Sequence, residues 1–366
     1  VEFSAGSIQM LYPAEHECWT VVPRAVYEDS SERETHIGIL MHGSERSNIE
    51  ISWHQLANTD NKLLLLRDTT VTPGLSALSN ELGNIQFPSV FEIAHEWSDD
   101  TQMAVCIASV AASGVRLTSD AAHDEIGQNF INWMHDGASD IGIQTRAVIG
   151  RAAEMDGDVS DRLRLAAREF SASTDRSAGN GALARIAPVG ISFLWERDAT
   201  AEAAKDLASL THFDREVEES CVLWAEAMRV AVIEGVLDVR AGLDLLLEDS
   251  RDKWVAWIDD ADRGLVTPRT NGYTVSALQC AWFAVKATTD YFGEAAVYDG
   301  VRRAVKLGGD TDTVAAIAGA LLGARWGESA VPQKWKDALR GWPAMTGADL
   351  ADMGERIVRN SQPRGF

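Results

Sequence analysis

A mainly α-helical protein with a small strand-containing amino-terminal segment is predicted by three features of the sequence. From about residue 90 onward, apolar residues recur at the three- and four-residue spacing of helices that bury one face. Interior proline is scarce in those stretches, as helices require. Upstream, short apolar or alternating runs broken by polar turn clusters replace that pattern. The change of pattern divides the chain into an extension over residues 1–85 and a helical domain over residues 86–366.

Within the extension, residues 19–22, 37–41, 49–53 and 63–66 read as strands. Glu28-Asp29-Ser30-Ser31 and Thr72-Pro73-Gly74 read as turns. The first long helix is expected over 103–115. The next, over 126–134, sets Ile126, Phe130, Ile131, Trp133 and Met134 at helical intervals. A long helix is expected over 216–239, with Cys221, Leu223, Trp224, Ala227, Met228, Val230 and Val232 on its apolar face. Two further buried helices fall over 276–288 and 314–324. No repeat at a fixed period and no low-complexity tract is present.

The 366 residues are 46% hydrophobic, enough for a substantial core, and carry a net charge of −22. Such a surface repels phosphate backbones, which makes nucleic acid an unfavourable primary partner. It attracts divalent cations and basic proteins, although solubility alone also accounts for it. Cys18, Cys106, Cys221 and Cys280 form no C-x-x-C pair, and their scatter suits a reducing compartment. No signal peptide is visible, and the longest apolar stretch, 314–324, is too short to span a bilayer. A cytoplasmic protein without membrane contact is the expectation.

Three segments could carry chemistry. In Ser98-Asp99-Asp100-Thr101 a hydroxyl and two carboxylates stand at a helix start. There they either cap the helix and complement its dipole, or hold a hard cation that takes oxygen ligands. In Gly308-Gly309-Asp310-Thr311-Asp312-Thr313 two glycines allow a sharp bend and close approach to a ligand. The acids and hydroxyls that follow offer several oxygens in one turn. The plain alternative is a glycine turn with an aspartate cap. Gly179-Asn180-Gly181-Ala182-Leu183-Ala184 fits G-x-G-x-x-A, but no apolar strand precedes it. A dinucleotide fold is therefore disfavoured, while a loop cradling a diphosphate stays open. Asp140-Ile141-Gly142 and Thr211-His212 are weaker signals, since a lone histidine is more often structural. No nucleophile elbow, Walker loop or H-E-x-x-H motif occurs.

Taken in order, Ser98-Asp99-Asp100-Thr101-Gln102-Met103, Asp140-Ile141-Gly142, Ala178-Gly179-Asn180-Gly181-Ala182-Leu183, Arg185-Ile186-Ala187-Pro188, Thr211-His212 and Gly308-Gly309-Asp310-Thr311-Asp312-Thr313 resemble the ADP-ribosylglycohydrolase family. The resemblance runs from about Trp97 to Trp335. It implies an all-helical ADP-ribosylglycohydrolase-like domain with a binuclear centre of two Mg2+ or Mn2+. Ser98, Asp99, Asp100, Asp310, Asp312 and Thr313 would ligate the metals, with serine at position 98 where threonine is more usual. Asp140, Gly179, Asn180, Gly181, His212, Tyr273, Gly308 and Gly309 would line the ADP-ribose cleft. Asp100 would act as general base and Asp312 would chiefly hold the metals. The implied reaction is hydrolysis of the N-glycosidic bond between arginine and ribose in an ADP-ribosylated protein.

The family's usual opening, a Gly-Leu-Ala-x-Gly-Asp-Ala-like segment followed by a metal-binding glutamate, has no counterpart here. Glu92 and Glu96 are the nearest substitutes. Two other expectations follow from that gap and from the acidity. The extension would bind and neutralise a basic ADP-ribosyltransferase toxin, as an immunity protein does. Alternatively, the chain would bind ADP-ribose without cleaving it.

Overall fold

The computed structural model describes residues 9–11, 20–22, 24–26, 32–34, 37–38, 96–136, 138 and 141–362. The chain divides into two compact units, Val1–Glu96 and Trp97–Phe366. In the first, β1 (Gln9–Leu11) pairs antiparallel with β2 (Thr20–Val22). On its other side β2 pairs with β5 (Ile37–Gly38). A separate ribbon joins β3 (Arg24–Val26) to β4 (Glu32–Glu34). Strands thus occur where 19–22 and 37–41 predict them. The strands expected at 49–53 and 63–66, and the turn at 72–74, lie outside the described residues.

The second unit is mainly α. Its first helices are α1 (Asp99–Ala112), α2 (Asp120–His135), α3 (Ile143–Ala153) and α4 (Val159–Ser173). Two short turns, α5 (Gly181–Ala184) and α6 (Ala187–Ser192), precede α7 (Arg197–Ser209) and α8 (Arg215–Glu234). After these come α9 (Glu248–Asp262), α10 (Thr274–Lys286), α11 (Glu294–Leu307) and α12 (Thr311–Trp326). The unit closes with α13 (Gln333–Ala338) and α14 (Gly347–Asn360).

Helix α8 runs through the core. It is buried around most of its circumference, which is why its apolar residues are not confined to one stripe. Asp214 caps it by accepting from the Glu216 N–H. It ends at Glu234, short of residue 239, because Gly235 turns left-handed at φ +67°. The apolar spacing through Val236, Leu237 and Val239 conceals that stop.

Helices α6, α7, α10 and α12 pack around α8. The fully buried Trp224 indole donates to the Ile317 carbonyl of α12 at 3.1 Å. Deleting a buried side chain of that size costs roughly 3–5 kcal/mol. Helix α1 lies between α2 and α14, and the Trp133 indole of α2 donates to Gln102 Oε1 of α1 at 2.6 Å. Small residues bring α11 and α12 close; a Cβ on Gly300 would overlap Leu322. This packing sets the start of α12 beside the start of α1. No helix among the described residues is long and apolar enough to cross a membrane.

Candidate metal centre

The two helix starts meet through side chains, and neither uses its polar residues as an ordinary cap. Ser98 holds the extended backbone of a cap at α1, but its hydroxyl makes no cap bond. It donates instead to Asp100 Oδ2 at 3.2 Å. Asp310 occupies the cap position of α12 and also makes no cap bond. The structure therefore overturns capping as the reading of both segments. From the facing helix, the Thr313 hydroxyl donates to Asp100 Oδ1 at 3.4 Å.

Asp99, Asp100 and Asp312 each place a carboxylate oxygen within 4.8 Å of the others. Asp100 is 5% exposed, and its carboxyl is held well above the usual range. Burial is the largest cause, followed by the charges of Asp99, Asp312 and Asp310. Asp310 is raised to about 6 by burial and then by Asp312, against hydrogen bonds from Asn180 and Thr313 that favour its charge. The field of two helix N-termini favours acids but is worth ~0.3–1 kcal/mol each, too little to offset buried like charges. Carboxylates and hydroxyls so crowded are the donor set of a hard divalent cation. Glu92 lies outside the described residues, and Glu96 is not among the three clustered acids.

Asn271 clasps the second helix start. Its Nδ2 donates to the Gly308 carbonyl at 3.0 Å, and its Oδ1 accepts from the Asp310 N–H at 2.8 Å. Gly308 and Gly309 are both left-handed, at φ +82° and +78°. A Cβ on Gly309 would overlap the Pro268 carbonyl and Asn271 Oδ1. Gly309→Ala is therefore expected to lose about 1–3 kcal/mol from backbone conformation alone, with the overlap adding to it. The midpoint of urea denaturation reads this; an unchanged midpoint would contradict the clasp.

The glycine loop sits against the same clasp. Asn180 Nδ2 donates to Asp310 Oδ2 at 2.7 Å and to the Asn271 carbonyl at 2.9 Å. The loop is pinned by main-chain pairing to the segment before α10. Asn180 N–H donates to the Gly272 carbonyl at 3.1 Å, and Thr274 N–H to that of Ala178 at 3.0 Å. Gly179 and Tyr273 form the bridge between them. The Tyr273 hydroxyl is engaged by the Glu216 carboxylate at the start of α8.

His212 lies at the loop but is 1% exposed. Its Nε2 is 3.2 Å from where a Gly179 Cβ would stand, and its Cε1 is 3.7 Å from the corresponding point on Gly181. Burial and the nearby Arg185 charge hold its ring well below the usual histidine range, so it is neutral at pH 7. Asp140 lies outside the described residues.

The structure thus brings together Asp99, Asp100, Asp310, Asp312 and Thr313, with Ser98 at their edge. It joins them through Asn180 to Gly179, Gly181 and His212. Sequence reasoning missed Asn271, whose one signal is the turn-forming pair Asn271-Gly272. It also missed Gln144, which no motif marks.

A mainly helical unit with an oxygen-rich centre between two helix starts is the setting for the comparisons with known proteins. A model of the family described as ADP-ribosylglycohydrolase matches residues 50–365, and the chain belongs to that family. The match begins inside the segment 1–85 that the sequence pattern sets apart. The chain is similar to the ADP-ribosylarginine hydrolase Tri1 of Serratia proteamaculans (strain 568), at 25% identity over 251 residues, covering 67% of this chain and 63% of that protein. It is similar to the protein of the same name from Pseudomonas putida (strain GB-1), at 26% identity over 246 residues, covering 66% of this chain and 62% of that one. The chain thus spans a little under two thirds of the length of these relatives. Among solved structures, one titled ADP-ribosylglycohydrolase-related protein complex superposes with a TM-score of 0.52 at 25% identity, covering 73% of this chain and 82% of that one.

Proposed function

We propose that the chain is a divalent-cation-dependent hydrolase that releases ADP-ribose from arginine side chains of modified proteins. The observation that carries this reading is the cluster of Asp99, Asp100 and Asp312 at two facing helix starts, in a chain of the ADP-ribosylglycohydrolase family. The names of the two relatives above support arginine as the linkage.

Ser98, Asp99 and Asp100 from α1, with Asp310, Asp312 and Thr313 from α12, would hold two Mg2+ or Mn2+. When bound, such ions neutralise crowded carboxylates and polarise hydroxyl oxygens. Asp100 accepts the proton of the attacking water at a carboxylate oxygen. Asp312 keeps the cluster in register, and Asn180 fixes Asp310 against it. The loop Gly179-Asn180-Gly181 borders the diphosphate, and the bend at Gly308 and Gly309 lets the ribose approach the acids. Tyr273 closes the loop's flank.

The test is release of ADP-ribose from two peptides, one modified on arginine and one on serine, with Mg2+, with Mn2+ and with a chelator. Release from the arginine peptide, lost on chelation, is the expected result. Release from serine alone, or release that survives chelation, would sink the reading. Binding of ADP-ribose without release would mark a pseudoenzyme.

A second reading draws on the net charge of −22. An acidic chain suits capture of a basic ADP-ribosyltransferase, as in toxin immunity, with residues 1–85 as the binding segment. Co-purification with and without those residues tests it; equal recovery removes the segment from the account.

A further inference from the structure

We infer that Arg185 is a positioning residue: through Thr211 it holds His212 with its proton on Nε2, so that His212 and Gln144 grip Gly179 and the loop delivers Asn180 to Asp310. What the loop serves rests on the ADP-ribose reading above; the relay itself rests on hydrogen-bond chemistry.

Arg185 is 1% exposed, and among the described residues no carboxylate pairs with it. Its guanidinium donates to the Leu207 carbonyl at 3.1 Å, to Thr211 Oγ1 at 2.6 Å and to the Gly181 carbonyl at 3.4 Å. It also stands 4.9 Å from the centre of the Phe130 ring. A guanidinium can only donate, so Thr211 Oγ1 must accept from it. Among the described residues that hydroxyl has one other partner, His212 Nδ1 at 2.7 Å. The oxygen keeps a second lone pair, but its one hydrogen is buried and needs an acceptor, and Nδ1 is the one within reach, so the Thr211 hydrogen points to Nδ1. A neutral imidazole that accepts at Nδ1 carries its proton at Nε2.

The Nε2–H needs an acceptor. Gln144 Oε1 is buried and has no partner, while Gln144 Nε2 donates to the Thr211 carbonyl at 3.3 Å. Gln144 Oε1 and His212 Nε2 are each 3.2 Å from the place a Gly179 Cβ would occupy. The unpartnered acceptor and the Nε2–H thus face the same point beside Gly179, and Gln144 Oε1 is the partner we assign to it. With that assigned link the circuit runs from the Thr211 hydroxyl to His212, from His212 to Gln144, and from Gln144 to the Thr211 carbonyl. Arg185 keys it by occupying the Leu207 carbonyl and one lone pair of Thr211 Oγ1, which leaves Nδ1 as the acceptor for the hydroxyl hydrogen. Gly179 lies in the grip, and the next residue, Asn180, reaches Asp310.

The test reads the tautomer directly, by long-range 1H–15N correlation on protein labelled with 15N-histidine, in chelator and without ligand. The His212 signal is assigned by its loss in His212→Gln. The expected result is a pyridine-type Nδ1 and a pyrrole-type Nε2 in the wild type, averaging to a mixture in Thr211→Val. A wild-type Nδ1–H tautomer overturns the inference without any variant having to fold. So does an unchanged tautomer in a folded Thr211→Val. The loop-positioning half is read by calorimetry of ADP-ribose binding with Mg2+, where Thr211→Val and Gln144→Leu should each bind about tenfold more weakly. Affinities within about twofold of wild type in both folded variants would overturn that half. If the wild type binds no ADP-ribose, the functional reading fails, and the tautomer still decides the relay.

Discussion

Asp100→Asn is expected to cut ADP-ribose release by about 10²- to 10⁴-fold, the usual contribution of a general base, while making the cation-free protein more stable. The two effects have one origin. Asp100 is buried among Asp99, Asp310 and Asp312, and its carboxyl is pushed far up by burial and then by those charges. Asparagine removes the charge and keeps the shape. Its oxygen can still accept from Thr313, and its amide can donate to Ser98, the two residues that now bond the carboxylate. A gain of about 1 kcal/mol in a unit of this size corresponds to a melting temperature roughly 2–4 °C higher in chelator. Mg2+ should then add little, since a ligand is gone. A lower melting temperature for Asp100→Asn in chelator would show that the carboxylate is compensated in a way the cluster does not suggest.

The cation-free protein should lose stability as pH rises through about 6, and Mg2+ should restore it. Asp310 is raised to about 6 in the fold from an ordinary value of 3.8. Between those values the folded chain binds more protons than the unfolded one, so stability falls as pH rises. The benefit is complete below the unfolded value and is gone above about 6. Asp100, also raised, works in the same direction. Melting curves from pH 4 to 8 in chelator, for wild type and Asp310→Asn, isolate the term, because the variant should lack its share of the slope. Saturating Mg2+ at about 100 times its dissociation constant adds about 2.7 kcal/mol. That gain should be largest at high pH, where the carboxylates are charged. A wild-type slope equal to that of Asp310→Asn, or no shift with Mg2+, would contradict the centre.

Much of this was legible in the sequence, and the illegible part has a common cause. Helical spacing locates the helices because burial of one face imposes a period. The two acid-rich segments announce themselves because their residues are adjacent in the chain. What sequence could not supply is the set of single polar atoms that join distant segments. Asn180 and Asp310 are 130 residues apart. Gln144 meets Thr211 and faces Gly179 without any motif around it. Ser98 and Asp310 look like caps because capping depends on local sequence, and the choice against it depends on what the facing helix brings. The end of α8 was hidden for the complementary reason: one glycine breaks the backbone while the apolar spacing continues past it.

Asn180 shares one amide between the Asn271 carbonyl and the Asp310 carboxylate. On the proposed reading, occupancy of the loop and occupancy of the acid cluster would report to each other through that side chain. By thermodynamic reciprocity, whatever factor a nucleotide-like guest adds to cation retention, the cation adds to retention of that guest. Departure of product and leakage of the ion would then be linked events, and an Asn180→Ala chain is expected to weaken that link.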